Sequence, residues 1–129
     1  MTAEENKAFV KRYLAAISGK PKPPEVLDRF TTDEELKKHI AGTEAAFPLY
    51  RLDPEEIIAE GDLVSVRGSF RGTHKGPFQG VPPTGREISG GLFITYRVSG
   101  GRITEHWMLV DSLAVLQQLG VLAEPAKAM

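Results

Sequence analysis

From Leu63 to His74 the sequence alternates. Val64, Val66, Phe70 and His74 fall on one parity, while Ser65, Arg67, Ser69, Arg71 and Thr73 fall on the other. Successive side chains of a strand point to opposite faces, so this segment reads as a strand with one buried and one wet face. Gly68 and Gly72 sit on the apolar parity, which suits a sharply bent strand or close packing of another element over it. Such a strand needs hydrogen-bonded neighbours and a cover for its apolar side.

The neighbours are legible. Glu87 to Val98 and Arg102 to Val110 read as strands joined by the tight turn Ser99-Gly100-Gly101, and a short run at Ile57-Ile58 ends in the turn Glu60-Gly61-Asp62. Gly72 to Gly85 (GTHKGPFQGVPPTG) is a loop. The cover comes from upstream. Thr2 with Glu5 forms a capping-box signature, followed by Phe9, Val10, Tyr13, Leu14 and Ile17 at helical spacing. Gly19 is a C-cap, and the prolines at 21, 23 and 24 stop the helix. Pro24 opens a short second helix through Phe30. Thr32 or Asp33 caps a third, with Leu36, Ile40, Ala41 and Phe47 on its apolar face and Pro48 at its end. Asp111 or Ser112 caps a last helix from Leu113 to Leu119, closed by Gly120, and Ala123 to Met129 reads as a frayed tail. Helices followed by an antiparallel meander give an α+β fold: a cone-shaped, curved sheet with N-terminal helices on its concave face, whose unfilled mouth is a pocket.

At 129 residues the chain is sized for one domain, residues 1–129. Its net charge of −1 offers no bulk field for nucleic acid or an anionic membrane surface. The absence of cysteine excludes disulfides, a thiol nucleophile and cysteine metal sites. Met1 to Ala8 is charged, without the apolar run of a signal peptide, and no stretch approaches the ~20 apolar residues of a membrane span. A cytoplasmic protein is expected.

The segments RGTHKGPFQGVPPTGRE, TYRVSGGRITEHW and MLVDSLAVLQQLG, with the opening helix NKAFVKRYLAAIS and AAFPLYRLDPEEIIAEGDLVSVRGSF, resemble the SnoaL-like polyketide cyclase family, whose members are often labelled ester cyclases. That family lies within the nuclear transport factor 2-like superfamily of α+β cones. The resemblance implies a homodimer and a pocket for a small apolar molecule. It matches Asp111 to the family's pocket aspartate, the acid/base of an intramolecular aldol closure. The implied enzyme is cofactor-independent and acts on an apolar carbonyl compound by cyclisation or isomerisation. A non-catalytic binding or carrier module is the alternative, because one region departs from the pattern. Family members carry a short strand with a pocket-facing polar residue after the second helix; here Phe30-Thr31-Thr32 leads directly into the helix containing His39, and that strand reads as deleted or replaced.

Acid/base chemistry next to a carbonyl needs only a positioned proton carrier in a dry pocket. Asp111 has two uses, pocket acid or helix N-cap. Without a bulge, Glu105, Trp107, Leu109 and Asp111 share a face, which makes Trp107 an apolar wall beside the carboxyl group. Phe93, Met108 and Val110 then fall on the opposite, dimer-forming face. His106 is a second acid/base or an outward contact residue. His74 points inward with Phe70 at the edge of the loop. Tyr96, sharing parity with Ile94 and Val98, and Tyr13 on the first helix are hydrogen-bond donors for a carbonyl oxygen or core fillers. His39, beside Lys37 and Lys38, reads as exposed. No H-E-x-x-H, G-x-S-x-G or phosphate-loop pattern occurs, so no metal, serine-hydrolase or nucleotide site is expected.

Overall fold

A computed structural model describes residues 1–121. The proposed tail at 123–129 lies outside the described residues. Helix α1 spans Ala3–Ile17, α2 Pro24–Leu27 and α3 Glu34–Ala46; strands β1 (Arg51–Glu60), β2 (Leu63–Thr73), β3 (Glu87–Ser99) and β4 (Arg102–Val110) follow, and α4 (Ser112–Gln118) closes the fold. The four strands form one antiparallel sheet in sequence order.

Helix α1 begins as read. Thr2 accepts the Glu5 N–H at 3.1 Å, and Glu5 returns a bond to the Thr2 N–H at 3.0 Å. Gly19 then turns the chain with φ +68°, a conformation glycine adopts without a Cβ clash. Helix α1 lies over β1 and β2, burying Val10, Tyr13 and Ile17. Asp33, not Thr32, caps α3: its Oδ1 accepts the Glu35 and Leu36 N–H groups at 3.0 and 3.2 Å. Leu36 and Ile40 face the core, whereas Ala41, also expected on that face, is exposed.

The sheet differs from expectation in two places. Strand β1 starts at Arg51, well before the Ile57-Ile58 run. A bulge between Pro54 and Glu56 breaks its alternation, and its edge position accommodates a proline that cannot donate to the ladder. The larger difference is in β4. A bulge at Thr104 separates the pairs Val98↔Ile103 and Arg97↔Glu105. Beyond it, Tyr96 pairs with His106, Ile94 with Met108 and Leu92 with Val110. Directly opposed residues of an antiparallel pair share a face, and Leu92, Ile94 and Tyr96 are buried. His106, Met108 and Val110 therefore look inward. Trp107 and Leu109 look outward with Phe93, at 50%, 77% and 61% exposure. The expected assignment of faces on β4 is thus inverted, although Phe93 lies outside as read. Parity alone separates two faces; the register with β3 decides which is inside.

The segment after α2 is paired with the sheet. Thr31 forms a one-residue parallel bridge to Ile103. Its Oγ1 donates to the Ile103 carbonyl at 2.8 Å, and the Ile103 N–H donates to the Phe30 carbonyl at 2.7 Å. Where a strand is expected to be deleted or replaced, this single bridge is what pairs the segment with β4, and it sets Asp33 down beside that strand.

Candidate functional site

A cavity of about 370 Å³ lies between α3 and the concave face of the sheet. Leu36, His39, Ile40 and Thr43 form its helical wall, and Phe70, Leu92, Ile94, Met108 and Val110 its sheet wall. Tyr13, Tyr50 and Tyr96 contribute rings that are almost wholly buried. Phe47 and Phe78 meet edge to face, centroids 5.2 Å apart, and bring in the loop after β2. No Lys, Arg, Asp or Glu lines the cavity among the described residues. This volume and apolar wall suit a small neutral molecule.

Two tyrosines supply polarity at depth. Tyr13 and Tyr96 meet at 5.7 Å and 78°. Their hydroxyls interact, with Tyr13 on the donating side, and the Tyr96 Oη meets no further partner among the described residues. Burial pushes both phenols above their ordinary range; Tyr96 and Tyr50 add to the shift of Tyr13, and Tyr50 adds to that of Tyr96 while the Tyr13 hydroxyl draws it partly back. Both stay protonated and able to donate.

Imidazole chemistry gathers at one end. His106 Nδ1 lies 2.7 Å from Asp33 Oδ2, with the side chains only 13% and 11% exposed. His106 is on the inward face of β4, two residues from Met108 and paired with Tyr96 on β3, beside the cavity and not itself among its lining residues. His39 lines the cavity from α3. Its surface stays open to solvent, yet its ring is desolvated enough to lower its pKa, and the neighbouring His106 lowers it further.

The other expected site residues lie elsewhere. Asp111 is exposed, and its Oδ1 accepts the Ala114 N–H at 3.0 Å as the N-cap of α4. It does not line the cavity; the strand ends at Val110, so the carboxyl group serves the helix. Trp107 lies on the outer face with Arg97 stacked 5.8 Å from its ring. His74 is fully buried but outside the cavity, with Phe47 beside it at 5.5 Å. Its Nδ1 accepts the Thr84 N–H at 3.1 Å, which pins the two ends of the loop together. Tyr13 and Tyr96 do line the cavity, and His106 faces inward rather than toward a subunit contact. Asp33 as a histidine partner escaped sequence reasoning, because the two residues are 73 positions apart and no local pattern links them. His39 was read only as exposed; its place on the same helical face as Leu36, Ile40 and Thr43 was the available signal.

The sequence profile of SnoaL-like polyketide cyclases matches residues 5–119. The chain belongs to the SnoaL-like polyketide cyclase family. Solved members share its shape. IdmH, a candidate polyketide cyclase from Streptomyces antibioticus, is 31% identical over 94% of this chain and 100% of its own, with a TM-score of 0.70. AclR, a candidate hydroxylase from Streptomyces galilaeus, is 28% identical over 98% of this chain and 87% of its own, with a TM-score of 0.84. A candidate SnoaL-like polyketide cyclase from Jannaschia sp. CCS1, 24% identical over 95% of both chains with a TM-score of 0.81, shares the fold. No curated protein matches the sequence at significant similarity. Within this SnoaL-like chain the described residues contain no group of three or more acidic, histidine or cysteine side chains poised to hold a metal, and no helix long and apolar enough to cross a membrane.

Proposed function

We propose that this SnoaL-like protein is a cofactor-independent enzyme that moves a proton next to the carbonyl group of a small, neutral, apolar compound. The observation carrying this reading is the buried Tyr96 hydroxyl in the cavity wall, which has no partner beyond the Tyr13 phenol and whose cross-strand neighbour is His106. A buried hydroxyl whose proton finds no acceptor costs about 1–3 kcal/mol, and a ligand carbonyl would satisfy it. In this reading Tyr96 donates to the carbonyl oxygen. His106 takes a proton from the adjacent carbon, and the C–H electron pair becomes the enolate, whose oxygen charge the phenol stabilises. Returning the proton to another carbon is isomerisation. Attack of the enolate carbon on a second carbonyl, with the proton delivered to the new alkoxide, is aldol cyclisation. Asp111 has no part in this scheme.

The test needs no knowledge of the natural substrate. Incubated with 1-tetralone in D2O, the protein should speed exchange of the protons next to the carbonyl, read by NMR. 1-Tetralone should also bind more tightly than tetralin, and Tyr96→Phe should abolish that preference. Binding without any exchange above the buffer rate would leave a carrier module. That second reading is favoured by the exposure of Asp111, the carboxyl group that the resemblance puts in the pocket. Either form is taken as a homodimer joined through the outer sheet face, where Phe93, Trp107 and Leu109 are exposed.

A further inference from the structure

We infer that Asp33 is a positioning residue for His106, holding the imidazole in the tautomer that leaves Nε2 as the free proton acceptor; the inference rests on the proton-transfer role proposed for His106. A carboxylate only accepts hydrogen bonds, so the contact at 2.7 Å requires the proton on Nδ1. That length is typical of a charge-assisted bond, and at 13% and 11% exposure water competes weakly for either side chain.

The carboxylate is held on both oxygens. Oδ1 accepts the N–H groups of Glu35 and Leu36, and Oδ2 meets His106. The N-terminus of α3 is itself a favourable seat for negative charge. The seat is fixed to the sheet by the bridge of Thr31 to Ile103, and the Thr31 Oγ1 also accepts the Asp33 N–H at 2.9 Å. Capping a helix takes one oxygen, and Ser or Asn does it as well as Asp. The second oxygen of Asp33 is therefore surplus to the cap, and it is spent on the one imidazole paired across the strands with Tyr96. The same helix carries Leu36, His39, Ile40 and Thr43 into the cavity wall, so one residue sets both the wall and the tautomer.

Two substitutions separate these roles. Asp33→Ser keeps a cap but is too short to reach His106, whereas Asp33→Asn keeps the cap oxygen but turns an amide N–H toward His106, whose Nδ1 must then accept. With only three histidines in the chain, 15N NMR resolves each tautomer, assigned by single substitutions. Wild type should show His106 as Nδ1–H, Asp33→Ser should release that preference and Asp33→Asn should drive His106 to Nε2–H, each with the melting temperature within a few degrees. Exchange of 1-tetralone protons should fall at least about tenfold in Asp33→Ser, in kcat more than in KM, and at least as far in Asp33→Asn, where the cap is kept but Nε2 carries the proton. An Nε2–H His106 in wild type, an unchanged tautomer in Asp33→Ser, or an unchanged rate despite a changed tautomer would overturn the inference. If wild type drives no exchange at all, the catalytic reading fails, and the tautomer comparison still decides what Asp33 does to His106.

Discussion

The Tyr13 and Tyr96 rings meet edge to face at the cavity, 5.7 Å between centroids, at 1% and 0% exposure. The contact joins the first helix to the third strand, so its apolar part is structural. The Tyr96 hydroxyl adds only its interaction with the Tyr13 phenol and has no other partner among the described residues. Tyr96→Phe should therefore leave stability unchanged or raise it by up to about 1 kcal/mol, whereas Tyr96→Ala should cost roughly 3–5 kcal/mol, as removal of a large buried ring does. Urea unfolding of the three proteins checks this. A large loss for Tyr96→Phe would mean that the hydroxyl is satisfied without a ligand.

Asp111 gives the opposite pattern. As an N-cap it should tolerate Asn and resist Ala: Asp111→Ala should cost about 1 kcal/mol and Asp111→Asn only a few tenths. Neither should change 1-tetralone binding. Lost binding in Asp111→Asn at unchanged melting temperature would return this carboxyl group to the site.

The glycine at 68 marks a close crossing. A Cβ there would lie 2.3 Å from the Asp53 carbonyl oxygen and 2.9 Å from Pro54 Cα, both backbone atoms of the edge strand. Gly68→Ala should cost about 1–3 kcal/mol or loosen β1. Gly91→Ala, which meets nothing within 4 Å, should stay within about 0.5 kcal/mol of wild type. Thermal melts and amide exchange in β1 would test both.

Stability should depend on pH at both ends of the range. The folded pKa of His39 lies below its ordinary 6.5, mainly through desolvation and then through His106. Below that pH the unfolded chain binds the proton more readily, so stability falls as pH drops from about 6.5. His39→Gln should flatten this decline. Tyr13 and Tyr96 have raised values, so above their ordinary 10.0 the unfolded chain loses protons first and stability falls as pH rises. Melting temperatures measured from pH 5 to 11 would show both limbs.

The outer sheet face predicts assembly. Phe93 and Leu109 are cross-strand partners and Trp107 is two residues from Leu109, so the three make one exposed apolar patch. Sedimentation should give a dimer at micromolar concentration, and the double substitution Phe93→Glu, Leu109→Glu should give a folded monomer. A monomeric wild type would remove the proposal.

Much of this architecture was legible because it is written in local patterns. The capping box at Thr2, the alternation from Leu63 and the double glycine at 100–101 each dictate their own geometry within a few residues. What was hidden depends on pairing across the chain. The orientation of Trp107 follows from register with Thr95, not from anything near Trp107 itself. The role of Asp33 requires a partner on the last strand. Asp111 shows a third case: cap and pocket acid have the same local sequence, and only the end of β4 at Val110 separates them.

The extra residue at Thr104 acts as a frame-setter for everything downstream. Deleting it would keep every β4 residue in the chain yet turn the strand inside out. Trp107 and Leu109 would enter the hollow while His106 and Met108 went to the surface. A change of one codon there would trade a proton-handling wall for an indole-filled plug without touching a single residue of the site.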